Sequence, residues 1–442
     1  MTLIAIALAV PNAASASVGN FGMAVQPDGR IVVAGGLGRA IGGGRGKETG
    51  AVARYLPAGK LDPSFGKRGV SVVRSHSSLT GPVQPFTALA LQPDGRILLA
   101  SPIGELSRLL PNGKPDPSFG VGGIAPAGTI SAHYPTAVAV EGDGSILVGG
   151  TTGYLNDPGE HLYGRLYRYT PNGRSSEWIG AISPSTGQSD PKSSLSSFIF
   201  GPSGSVIAAG GVGPRTPQPV RDHAALARLV PGAQDSPDPT FAGGAGLVES
   251  AFFPTSPLSE TANALANDRD GGGLLLAGQA ENEILLARYR SDGFLAGHFG
   301  RGGAVLTNVH GAAVDSANAV LSQRHGERIV VAGSSGYGCG SQCASLVVAA
   351  YRGNGRPDPR FGHRGVVSPR VRTSAYDTPA EEIAYGLAEA PGERILVGGL
   401  LSGPYGTRFF LRRYLPSGRP DKTFGNDGRV VTLPYRVSHG QR

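Results

Sequence analysis

Residues Met23-Ala-Val-Gln-Pro-Asp-Gly-Arg-Ile-Val-Val-Ala-Gly35, then Ala51-Val-Ala-Arg-Tyr55 and Leu61-Asp-Pro-Ser-Phe-Gly66, make up a unit that the chain repeats seven times. A short alternating run reaches a tight polar turn, an apolar run follows, and after a variable gap a third run ends at Arg-Tyr. A Pro/Gly turn and Phe-Gly close the unit. The first apolar residues of the second run are Ile31, Ile97, Ile146, Val206, Leu274, Ile329 and Ile395. Their mean spacing of about 61 residues is that of a propeller blade and not of a helical repeat.

The runs are too short for helices and are bounded by Gly, Pro and Asp, so they read as strands. Asp28-Gly29, Asp94-Gly95 and Asp143-Gly144 predict hairpins with positive φ in a primed turn. A fourth strand follows each Phe-Gly, with Trp178-Ile179 standing in for it in the third copy. The expected fold is therefore all-β: a seven-bladed β-propeller of four-stranded blades, closed by pairing of the C-terminal strand with the first blade. Residues 17–433 form it as one domain, because each blade buries its faces on its neighbours. Residues 434–442 are a tail.

Gly 70, Pro 35 and 16% charged residues in a chain of 442 would suggest low complexity without a period. Here they fall at turns. The net charge of +8 is a weak field over this length, and no clustered basic stripe with interleaved aromatics predicts a nucleic-acid surface. Leu3–Val10 is apolar and precedes Ala14-Ser15-Ala16, the pattern of a signal peptide over residues 1–16. No apolar run is long enough for a transmembrane helix. Cys339 and Cys343, four residues apart in a Gly-rich loop, are within reach of a disulfide and agree with an oxidising, exported setting.

Gln26-Pro-Asp-Gly-Arg-Ile-Val-Val-Ala-Gly35, Gln92-Pro-Asp-Gly-Arg-Ile97, Leu61-Asp-Pro-Ser-Phe-Gly66 and Pro115-Asp-Pro-Ser-Phe-Gly120 resemble the delta-60 repeat of bacterial proteins. The resemblance covers nearly all of residues 22–433. It implies a β-propeller-like exported protein and brings no catalytic residues with it.

Arg54, Arg108, Arg168, Arg228, Arg288 and Arg413 share one place in the third strand, where the sixth copy has Ala350. A residue repeated around a ring reads as a tie between blades, to Asp62, Asp116, Asp238, Asp358, Asp421 or to backbone carbonyls. The Phe of each Phe-Gly reads as a wedge between blades. No metal is expected, since the nine histidines lack ligand spacing, and no cofactor. Calcium is the weak exception: Glu141-Gly-Asp143-Gly144-Ser145 and Asp268-Arg-Asp270-Gly271 have alternating oxygens, but at the repeated turn.

Strand alternation puts the variable connections on one face, and binding groups sit most often on such loops. The candidates there are Arg45, His76, His133, Tyr134, His161, Tyr163, Arg221, His223, Tyr337, Tyr376 and Arg408. They suit a binding or scaffolding module that is monomeric and secreted or attached to a bacterial envelope, with a glycan, a polyanionic envelope polymer or a protein as partner. A hydrolase or lyase with its site at the central mouth is the alternative, and an inert spacer is another.

Overall fold

The computed structural model describes residues 21–38, 48–73, 85–125, 134–153, 162–182, 192–213, 222–230, 238–250, 252–253, 258–269, 272–309, 311, 314–323, 328–336, 344–369, 381–403 and 406–432. These form a seven-bladed antiparallel β-propeller. Blade 1 is β1 (Phe21–Val25), β2 (Ile31–Gly38), β3 (Glu48–Tyr55) and β4 (Val70–Val72); blade 2 is β5 (Ala88–Leu91), β6 (Ile97–Ala100) and β7 (Leu106–Leu109). Blade 3 is β8 (Tyr134–Val140), β9 (Ile146–Gly153), β10 (Leu162–Tyr169) and β11 (Ser176–Ile182); blade 4 is β12 (Lys192–Phe200), β13 (Val206–Gly213), β14 (His223–Leu229) and β15 (Leu247–Ser250). Blade 5 is β16 (Thr261–Asn267), β17 (Leu274–Ala280), β18 (Glu283–Tyr289) and β19 (Ala304–Thr307); blade 6 is β20 (Asp315–Ser322), β21 (Arg328–Gly336), β22 (Ala344–Arg352) and β23 (Val366–Val367). Blade 7 is β24 (Glu381–Ala390), β25 (Arg394–Gly403), β26 (Gly406–Tyr414) and β27 (Arg429–Val431).

Six blades are sheets of four strands in chain order. In blade 2 the fourth position is reduced to Ile124, which bridges Ser107. The first strands β1, β5, β8, β12, β16, β20 and β24 contact one another in turn and, through β1 and β24, complete the inner ring. Second strands are buried on both faces, which explains their unbroken apolar runs: every residue of β2 is buried.

The core is a series of seams, one at each junction of neighbouring blades. The seam between blades 7 and 1 contains Phe21, Met23, Leu396, Phe409 and Phe424. Phe21 and Phe409 meet edge to face at 5.9 Å.

Among the described residues the ring does not close by strand exchange. There β27 pairs only with β26 and β1 only with β2, so each blade is built from one contiguous segment. Phe21, at the start of β1, already supplies the packing across the junction, and the repeat begins and ends on a whole blade. The hairpins also differ from primed turns. Gly29 and Gly95 have φ of +82° and +84°, while the Asp before each stays at negative φ. One left-handed residue, which Gly supplies without steric cost, closes each turn.

Candidate functional site

The repeated side of the ring is a lattice of arginines. Arg108 donates from Nε to Asp116 at 2.8 Å within its own blade and from Nη1 to the Pro171 carbonyl of the next at 2.7 Å. The same step joins Arg54 to Asp62 and the Pro111 carbonyl, and Arg288 to Asp268 and the Gly353 carbonyl. Arg228 joins Asp238 to the Ser291 carbonyl, and Arg413 joins Asp421 to the Pro57 carbonyl. The aspartate is thus the partner within the blade, and a carbonyl is the partner across the junction. Each guanidinium also lies 4.5–5.9 Å from the centroid of its blade's wedge phenylalanine, Phe65, Phe119, Phe241, Phe299 or Phe424.

Blade 6, with Ala350 at the shared position, uses another arginine. Arg328, the first residue of β21, donates to Asp358 at 2.7 Å and to the Pro416 carbonyl at 2.9 Å. Arg30, Arg96 and Arg394 occupy the matching place and give Asp62, Asp116 and Asp421 a second arginine. The Arg that follows the hairpin turn in these copies was the sequence signal for this row, and the third-strand arginines drew attention from it. Arg168 departs from the pattern: its partners are Glu141, at 2.6 Å, and Glu177, both in blade 3.

Burial pushes Asp358 up, but the Arg360 side chain and N–H and the Arg328 guanidinium outweigh it and bring its pKa down to about 2. Asp62, Asp116, Asp238 and Asp421 are lowered likewise, with burial opposed by a Ser or Thr hydroxyl, an N–H and the arginine. Burial raises Tyr351 to about 12 despite its bond to Thr307 at 2.6 Å. Of the oxygens considered for calcium, Glu141 is engaged by Arg168 and Asp268 by Arg288, while Asp143 accepts from the N–H and hydroxyl of Ser145 within the hairpin turn. Among the described residues no three His, Cys, Asp or Glu side chains are grouped as metal ligands would be. No helix among them is long and apolar enough to cross a membrane.

Of the loop candidates, Arg45, His76, His133, His161, Arg221, Tyr337 and Tyr376 lie outside the described residues, as do residues 1–16, Cys339, Cys343 and the tail. Tyr134, Tyr163, His223 and Arg408 are described, and they do not converge. Tyr134 is half exposed on β8 opposite Thr151, while Tyr163 on β10 is opposite Thr152, so the two point to opposite faces of one sheet. His223 begins β14, with Nδ1 lacking a hydrogen-bond partner among the described residues.

Arg408 belongs to a charged group in blade 7. Fully buried Glu382 receives Arg412 through Nε at 2.7 Å and Nη2 at 2.9 Å, and Arg429 at 3.4 Å. Burial, together with the Arg412 and Arg408 charges, lowers Arg429 against the attraction of Glu382. The Nε atoms of Arg408 and Arg429 have no hydrogen-bond partner among the described residues.

A second group arises because blade 2 is short. β6 and β7 have four residues each, and a tight turn from Ser101 to Glu105 joins them, whereas β9 and β10 have eight. At 3.3 Å per residue, blade 3 overhangs by about 13 Å. Tyr163 and Arg165 lie in the overhanging half of β10, on the face that carries Tyr169 into the seam with blade 2. Trp178 of β11, paired with Tyr167, completes the row. The Arg165 guanidinium is 5.2 Å from the Tyr163 ring centroid and 5.8 Å from that of Trp178. The indole is pinned by its N–H, which donates to the Gly180 carbonyl at 3.0 Å. Sequence reading reached Tyr163 and missed Arg165, which no other copy repeats.

No curated protein matches the chain in sequence. Among solved structures it is similar to the polysaccharide lyase Uly1, at 12% identity over 89% of each chain with a TM-score of 0.49. It is similar to YCF48 from Cyanidioschyzon merolae, at 12% identity over 92% of this chain and 98% of that one, TM-score 0.48. A third is the NanB sialidase from Streptococcus pneumoniae, at 11% identity over 87% of this chain and 64% of that one, TM-score 0.36. The model of the family described as "Domain of unknown function (DUF5122) beta-propeller" matches residues 26–65 and 92–119, and in those stretches the chain is similar to this β-propeller repeat family.

Proposed function

We propose that the chain is an exported, monomeric binding or scaffolding module of the delta-60 repeat kind that holds an anionic glycan or envelope polymer on the side of its variable connections. One observation carries the reading. The repeated arginines of blades 1, 2, 4, 5, 6 and 7 are matched to carboxylates, whereas Arg165 makes no hydrogen bond or ion pair among the described residues and Glu382 is shared by Arg412 and Arg429, with the Arg408 charge acting on Arg429 as well. Positive charge in excess of local need attracts polyanions, and salt screens that attraction. Export is supported by the apolar run Leu3–Val10 and the Ala14-Ser15-Ala16 that follows it.

The test is retention of the purified chain on immobilised anionic and neutral envelope polysaccharides at low and high salt. The expected result is retention on the anionic polymers that fades with salt. Equal retention on neutral polymers, or none at low salt, rejects the reading.

A further inference from the structure

We infer that Tyr163, Arg165 and Trp178 form a subsite for one acidic sugar, its carboxylate or sulfate taken by Arg165 and its ring lying on Trp178. The inference rests on the binding function proposed above and gives it a place and a ligand chemistry.

Arg165 is the key residue. It is partly buried, with its guanidinium set between two rings and, among the described residues, no hydrogen bond or ion pair. Glu177, the nearest acid along β11, points to the other face and pairs with Arg168. Aromatic contact fixes the plane of a guanidinium while leaving its N–H edge free, the geometry that meets a carboxylate or sulfate in bidentate fashion. The side chain is therefore pre-ordered, and little rotamer freedom remains to be lost on binding.

The size of the row selects the ligand. Two neighbouring strands about 4.8 Å apart, carrying three side chains, accommodate one or two sugar rings. A protein partner needs roughly 800 Å² from each side, far more than these residues offer. An aromatic face beside a few fixed polar donors is the usual make-up of a small-ligand site.

Trp178 is the only tryptophan in the chain, so its fluorescence reports on this place alone. The full chain would be titrated with hexagalacturonate, a heparin-derived hexasaccharide, maltohexaose and hexaglutamate, following Trp178 emission and heat. A saturable emission change is expected with one or both acidic saccharides and not with the other two probes. Arg165→Gln should weaken binding about tenfold or more, the scale of a lost charged hydrogen bond, with an unchanged melting temperature. Arg165→Lys, which keeps the charge and loses the fork, should also bind more weakly.

An equal response to hexaglutamate would overturn the choice of a sugar, and an equal response to maltohexaose the choice of an acidic one. If the chain is held on anionic polymers while Trp178 stays silent and Arg165→Gln binds like the parent, the subsite is wrong and the broader function stands. Failure to be held at all removes both.

Discussion

Arg413 of blade 7 donates from Nη1 to the Pro57 carbonyl of blade 1 at 2.8 Å, a bond between residues 356 positions apart. It is the same step that Arg108 takes to Pro171 and Arg288 to Gly353. The last junction is therefore built like the others. Gly425 N–H adds a bond to the Ala58 carbonyl at 2.9 Å, as Gly66 does to Asn112.

Blade 6 tests whether the arginine step is a structural part that can be moved. Removing the Arg328 guanidinium leaves the buried Asp358 with the exposed Arg360 alone, at a cost of about 1.5–3 kcal/mol. Arg328→Ala should lower the urea midpoint accordingly. Adding Ala350→Arg restores the third-strand arginine of the other blades and should recover part of the loss.

Closure by side-chain packing makes Phe409 and Tyr55 unequal. Phe409→Ala opens a fully buried seam between the chain ends and should cost about 3–5 kcal/mol. Tyr55→Phe removes only the hydroxyl that meets Thr432, worth about 1 kcal/mol. Chemical denaturation of the two variants gives the order directly.

The Phe wedges depend on glycine in the next blade. A Cβ on Gly173, where φ is +67°, would lie 2.4 Å from the Phe119 ring, whereas one on Gly204, at φ +77°, meets nothing within 4 Å. Both Gly→Ala changes carry the left-handed penalty of about 1 kcal/mol. Gly173→Ala should lose a further ~1–3 kcal/mol by displacing the ring, which thermal melts of the pair would show.

Stability should fall at both ends of the pH scale. Asp358 titrates at about 2 in the fold, below its ordinary 3.8, so its contribution is complete above about pH 4 and is lost as pH drops through 2. Tyr351, raised from 10 to about 12, has the opposite sign: its contribution is complete below about pH 10 and is lost as pH rises through 12. Melting temperature against pH should show a plateau between these limbs, and the acid limb should weaken in Asp358→Asn.

The ring was legible because its signals repeat: Pro-Asp-Gly ends the first strand, Arg-Tyr the third, and Phe-Gly precedes the fourth. Trp178-Ile179 was read correctly as the outer strand of blade 3. Which residues meet across a junction was not legible. Alternation puts the neighbours Arg54 and Tyr55 on opposite faces of β3, but only the order of the blades in the ring sends Arg54 forward to Pro111 and Tyr55 back to Thr432. Arg165 was missed for the opposite reason, since it belongs to no repeat. The five-residue turn Ser101–Glu105, visible as a missing gap in the second copy, was the available sign that blade 3 would stand clear of its neighbour.

The division of labour between the arginines is tested most directly by Arg165→Gln and Arg228→Gln, each measured for melting temperature and for binding to an anionic polysaccharide at low salt. Arg165→Gln is predicted to lose binding at constant melting temperature, and Arg228→Gln, which breaks the bonds to Asp238 and Ser291, to lose melting temperature while the folded protein binds as before. Binding lost in Arg228→Gln at unchanged stability, or kept in Arg165→Gln, would contradict the account.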